Sequence, residues 1–221
     1  MKKAIQIVIV LVIIAVLAFL YVTRAPSAPS QDITKATDTL TATSSEKLYR
    51  ISPQDSKVTF TINEVLSKKP FTAVGTTSQV AGDIRVASGT ITIGTLAVNA
   101  KTFKTDSTQR DGAISRAILK AEDPANEFIY FKPAPATGLP LLVASSTLAF
   151  NVTGDLTISG VTKPATFTIN LMVDEKGLSG VATVHLKRSD FNLVIPNVPF
   201  VASVDDEFTV TAEISAPQVN E

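Results

Sequence analysis

From Tyr49 onward, large apolar side chains recur at every second position, and this constrains the chain more than any other feature. Val58, Phe60 and Ile62 alternate with Thr59, Thr61 and Asn63. The same spacing holds for Val80, Gly82, Ile84 and Val86, for Ile91 and Ile93, for Leu96 and Val98, and for Ile129 and Phe131. Two longer runs follow. One is Phe150, Val152, Gly154, Leu156 and Ile158; the other, Phe167 to Val173, ends at the turn Asp174-Glu175-Lys176-Gly177. Val181 to Leu186 and Phe208 to Ile214 close the series. A period of two is the mark of a strand with one buried face. The residues are the β-branched and aromatic types that suit a pleated surface. About eight such strands make an all-β domain, either a sandwich or a closed antiparallel barrel. Closure leaves no exposed edge. An eight-stranded barrel has room inside for side chains or for one small ligand.

One segment has a different period. In residues 110–121, Ile114, Ala117 and Ile118 are three and four apart, which predicts a short amphipathic helix with Ser107 or Thr108 as N-cap. Pro124 stops it from running on. A lone helix in a β chain is expected to cover one barrel end.

The N-terminus is of another kind. Met1-Lys2-Lys3 precedes an uncharged apolar run from Ile5 to Val22, and Arg24 follows. At 1.5 Å per residue the run spans about 27 Å, close to a hydrocarbon core. Residues 1–4 then form a cytoplasmic cap, and 5–22 a transmembrane helix that places the barrel domain on the periplasmic or extracellular side. The rival reading is a cleaved signal, which would leave a secreted protein. Its apolar core is normally shorter, and Ala25 and Ala28 are three apart rather than two. Residues 23–48 are dominated by Ser, Thr, Ala and Pro and are expected to be a flexible linker. The barrel domain is expected over 49–217.

Composition narrows the chemistry. Formal net charge is +0, from 20 basic and 20 acidic residues, so no basic face for nucleic acid is expected. With 0 Cys and 1 His (His185), neither thiol catalysis nor a His-rich zinc site is available. No cofactor, metal or catalytic residue is expected.

The segment Gly154-Asp-Leu-Thr-Ile-Ser-Gly-Val-Thr-Lys-Pro164 resembles a signature of the YceI-like family, the lipocalin-like polyisoprenoid-binding proteins. Further stretches resemble the family in the same order: the opening from Tyr49, the run from Gly82 to Ile114 with its Arg110-Asp111 pair, Asn126 to Pro133, Lys187 to Leu193, and Val204 to Ile214. The resemblance implies an eight-stranded antiparallel lipocalin-like barrel, a helix over part of it, and an apolar tunnel holding a long-chain isoprenoid or other amphiphile. Many members carry His near the end of the first strand, where this chain has Glu64.

The candidate lining is the inward apolar set Phe60, Ile62, Ile84, Ile93, Ile129, Phe131, Phe150, Val152, Leu156, Phe167, Ile169, Phe208 and Val210. Small inward residues, Gly82, Gly154 and Ala212, are expected to leave room along the axis. Glu64 shares the parity of Val58, Phe60 and Ile62. It is expected either to meet a ligand head group or to pair with Lys68 or Lys69. Arg110 and Asp111 read as local helix chemistry, His185 as a structural or surface residue, and Lys187 to Asp190 as a solvated turn or an anionic head-group contact. Ser67–Thr77 and Pro135–Ala144 are the candidate flaps. The expected function is that of a membrane-tethered carrier or scavenger of long-chain lipid, with no enzymatic activity. The alternatives are a structural or stress-related envelope protein with a filled core and, more remotely, a lipid-modifying envelope enzyme.

Overall fold

The computed structural model describes residues 30–88, 90–134, 147–174, 176–197 and 201–219. The apolar run 5–22 and the flap candidate Pro135–Ala144 lie outside the described residues. Within them, no helix is long and apolar enough to cross a membrane.

Twelve strands form one antiparallel, strongly curled sheet. They are β1 (Glu46–Arg50), β2 (Lys57–Leu66), β3 (Lys69–Thr77), β4 (Val80–Ala81), β5 (Asp83–Ala87) and β6 (Thr90–Ile93). Then come β7 (Leu96–Asn99), β8 (Phe128–Pro133), β9 (Thr147–Ile158), β10 (Val161–Val173), β11 (Gly177–Lys187) and β12 (Val201–Val219). Pairing runs β3-β2-β12-β11-β10-β9-β8-β7-β4. Only Ser78 and Gln79 separate β3 from β4, so the chain itself links the two outer members of this series. A bridge from Thr76 to Lys104 and a 2.6 Å hydrogen bond between the Thr77 and Thr102 hydroxyls lie beside that link.

Val80 to Val86 does not form the single strand that its alternation predicts. It breaks at Gly82 into β4, which pairs with β7, and β5, which pairs with β1 and β6. A Cβ at Gly82 would lie 2.4 Å from Leu96 Cδ2. Its φ of 157° is one that residues with a side chain rarely adopt, so glycine suits the break. β1, β5 and β6 sit at one end of the curl, where β1 extends the tail of β12 through the pairs Leu48–Val219 and Tyr49–Gln218.

The opposite end is covered by the segment between β7 and β8. It contains helix α1 (Thr108–Gly112), capped by Ser107, which continues as a π-helical turn over Ala113–Ile118. Ser107 Oγ accepts from the Arg110 N–H at 3.4 Å. The wider winding alters which residues face inward. Ile114 and Leu119, joined by a 2.8 Å backbone bond, are buried, whereas Ala117 is exposed. Five-residue spacing replaces the expected three and four. Lys120, at φ 50°, ends the helical course.

The described part of the expected linker is not a free coil. Ile33, in a short 3-10 turn, is buried against Ala81, Ala97 and Phe128, with Ala36 and Tyr130 beside it. The Leu40 N–H donates to Asp83 at 3.0 Å, and the same carboxylate accepts from Arg50 at 2.8 and 3.1 Å. Residues 30–45 therefore run along the outside of the sheet before β1. Burial of Ile33 and the hydrogen bonds from Leu40 to Asp83 and from Gln31 to Glu127 contribute to meeting the ordering cost of this stretch.

The flap candidate Ser67–Thr77 is also a paired element. It is essentially β3, hydrogen-bonded along its length to β2, with the turn at Ser67-Lys68.

Candidate functional site

The curl encloses a cavity of about 600 Å³. Its walls are the inward faces of the strands. Phe60 and Ile62 come from β2, Ile129 and Phe131 from β8, and Val152 and Leu156 from β9. Phe167 and Ile169 come from β10, Phe208 and Val210 from β12, and Ile93 from β6. All of these were predicted from parity. Ile84 and Phe150 do not reach this space. They line a separate void of about 80 Å³ with Ile51, Ile91, Leu171 and Leu178, which Ile93 also touches. The break at Gly82 carries Ile84 into the second sheet segment, and Phe150 lies on the end of β9 nearest it.

Gly154 does not widen the cavity. A Cβ there would lie 2.4 Å from the Lys132 carbonyl oxygen, so its smallness serves the close approach of β8 and β9. Ala73, Ala113, Ala182 and Ala212 are small residues of the lining. Aromatic side chains hold the walls edge to face. The Phe131 and Phe167 rings are 4.7 Å apart, and Phe60 and Phe103 are 5.4 Å apart. Several wall residues, Phe60 and Ile62 among them, remain only partly buried although they face inward. The space between them is not filled.

Sequence reasoning missed other wall residues. Leu96, Val98 and Leu186 follow the same alternation and were legible in it. Ile114, Ile118 and Leu119 belong to the covering segment, and Leu193, Ile195 and Pro196 to the loop after β11. That loop has no periodicity to betray it.

Polar groups gather at the covered end. Glu64 is buried on the cavity face of β2, as its parity predicts. Its partner is neither Lys68 nor Lys69. Arg110 Nη2 donates to Glu64 Oε1 at 2.9 Å. Arg110 also bonds Asp106 through Nη1, and its guanidinium lies 5.1 Å from the centre of the Phe71 ring. Phe71 is the cross-strand partner of Glu64, so one hairpin supplies both contacts. Arg110 is thus more than a local helix residue, since it fastens α1 to the β2–β3 hairpin. Asp111 is local, its Oδ1 accepting from the Thr105 N–H at 2.7 Å and hydroxyl at 2.8 Å.

Arg188 also borders the cavity. It donates to the carbonyls of Asp205, Leu193 and Val204 at 2.7, 2.9 and 3.2 Å. The basic cluster after β11 therefore pins the loop and the start of β12. Near the same rim β12 slips against β2: Val204 opposes Glu64, but Phe208 opposes Ile62. Such a bulge bends the strand and increases its local twist. His185 is exposed, with Nδ1 3.0 Å from the Thr209 hydroxyl. No group of three or more His, Cys, Asp or Glu suited to a metal ion occurs among the described residues.

The arrangement combines an apolar cavity with a polar collar at its covered end.

Comparison with known proteins agrees with this geometry. No curated protein matches the chain. Among solved structures, a polyisoprenoid binding domain from Saccharophagus degradans, implicated in plant cell wall breakdown, is similar with a TM-score of 0.63 at 12% identity. That match covers 77% of this chain and 98% of that one. Burkholderia cenocepacia BcnA is similar with a TM-score of 0.55 at 17% identity, over 77% and 99%. A Campylobacter jejuni YCEI protein has a TM-score of 0.51 at 18% identity, over 64% and 82%. These likenesses concern the fold. The family model for the YceI-like domain matches residues 49–216, close to the boundaries drawn from sequence, and the chain belongs to the YceI-like family.

Proposed function

We propose that this protein is a membrane-tethered, extracytoplasmic binding protein that holds a long-chain isoprenoid or another amphiphilic lipid in its apolar cavity. The carrying observation is the cavity of about 600 Å³ with almost wholly apolar walls and its charged groups confined to one end. That volume lies within the range of about 300–1,000 Å³ usual for small-molecule sites. Each buried CH₂ gains about 0.8 kcal/mol, so a long chain binds without polar contacts along its length. A cavity of this size also weighs against the filled-core alternative. The name of the Saccharophagus degradans domain supports a polyisoprenoid as the ligand class.

In this reading β2, the β3–β4 run and β7 to β12 form a closed eight-membered barrel, joined through Ser78 and Gln79. The protein binds and releases its ligand without changing it. Residues 5–22 hold it in the cell membrane, with Lys2 and Lys3 on the cytoplasmic side.

The test is native mass spectrometry of the full chain, released gently from its host membrane, followed by lipid extraction. A stoichiometric long-chain lipid is expected. Protein that emerges empty and also fails to take up added prenyl lipid overturns the proposal.

A further inference from the structure

Ser30 ties the start of the described chain to both roots of the segment that covers the cavity. Its hydroxyl donates to Glu127 Oε1 at 3.0 Å and accepts from the Asn99 side-chain amide. Asn99 is the last residue of β7, where the covering segment leaves the sheet, and Glu127 immediately precedes β8, where it returns. The Gln31 N–H adds a 2.6 Å bond to the same carboxylate. The chain before Ser30 therefore departs beside the roots of the covering segment, and the far end is occupied by β1, β5 and β6.

Only residues 23–29 separate this point from the apolar run that ends at Val22. They span at most about 25 Å. A free linker over 23–48 would leave the barrel unoriented, whereas the docked residues 30–45 shorten the tether and fix where it attaches.

The rim at that end suits a bilayer. Val194 is 73% exposed and precedes the wall residues Ile195 and Pro196. Lys68 and Lys69 are exposed at the β2–β3 turn, next to the lining residues Leu66 and Ser67. Apolar side chains beside lysines fit an interface carrying anionic lipid.

Resting on the tethered-binder reading, we propose that this rim is a docking surface for an anionic phospholipid bilayer, with the Ser30–Glu127–Asn99 clasp turning the cavity mouth toward the membrane. A ligand then passes between bilayer and barrel with little exposure to water.

The chain has 0 Cys, so single cysteines can report position. The full chain is reconstituted in vesicles of phosphatidylethanolamine and phosphatidylglycerol, labelled with an environment-sensitive fluorophore at Val194→Cys or at Gln54→Cys. Gln54 is an exposed residue just before β2, at the far end. Nitroxide-bearing lipids are expected to quench the label at 194 at least threefold more than that at 54. The Lys68→Glu/Lys69→Glu pair is expected to reduce quenching at 194 at least twofold. Equal quenching at both sites, or no effect of the charge reversal, overturns the docking surface while the anchor reading stands. A chain that alkaline carbonate strips from the vesicles overturns the anchor reading, and the docking surface with it.

Discussion

Arg110 donates to Glu64 across 2.9 Å, and this bond joins the helix over the cavity to the inward face of β2. Both side chains are largely withdrawn from water, at 18% and 7% exposure. The pair acts as a latch. While it holds, α1 stays against the β2–β3 hairpin and the collar stays narrow.

Glu64→Gln removes the charge and leaves Arg110 a weaker bond to a neutral amide oxygen there, beside Asp106 and the Phe71 ring. A hydrogen bond to a charged group contributes about 1.5–3 kcal/mol, so the covering segment should open more readily by up to that amount. Faster amide exchange over residues 106–119 and faster loss of a bound fluorescent lipid are the expected results. Unchanged exchange in that segment would show that the latch does not hold it.

Ala212→Leu tests whether the cavity is the binding space. Ala212 lines the wall on β12 beside Val210. Added methylenes would project into the void, so the stoichiometry of bound long-chain lipid should fall severalfold while the thermal midpoint is kept or raised. Loss of stability without loss of binding would place the ligand elsewhere.

Gly75→Ala should be destabilising. Gly75 pairs with Phe60, and a Cβ there would lie 2.2 Å from Phe60 Cε1. The ring must leave its position against Phe103, and overpacking of this kind costs about 1–3 kcal/mol. Urea denaturation measures it, and a midpoint equal to that of the parent would contradict the close approach.

Acid should release the N-terminal segment. Burial pushes the Glu127 carboxyl up, but the bonds from Gln31 and Ser30 and the charge of Lys101 outweigh it and hold the pKa below the ordinary 4.5. A depressed carboxylate contributes stability that is fully present above its unfolded value and fades as pH falls through the folded one. The clasp should therefore be intact at neutral pH and weaken below about 4.5. Protease sensitivity of residues 30–45 against pH is the measurement, and Glu127→Gln should give that sensitivity at neutral pH.

Much of this protein is legible before folding because a strand has the shortest period a chain can have. Alternation at Phe60–Ile62, Phe131, Val152–Leu156 and Phe167–Ile169 already says which side chains face inward. It even places Glu64 among them. Parity does not say which sheet segment a strand joins. Ile84 and Phe150 obey the same rule and line a different void, Ile84 because the chain breaks at Gly82 and β5 pairs with β1 and β6 instead of β7. The expected spacing of Ile114, Ala117 and Ile118 fails for a similar reason, since π-helical winding moves Leu119 inward and Ala117 out.

Sequence by itself determined the all-β class, the family, the inward faces and the position of one covering helix, because each follows from local periodicity or from short ordered motifs. Tertiary structure alone decided that Glu64 meets Arg110, 46 residues away. It also decided that Ser30 meets Glu127, 97 residues away, and that a stretch poor in apolar residues lies docked through Ile33. Such pairings depend on where strands end and how far the sheet curls, quantities set by the packing of the whole and written in no single segment.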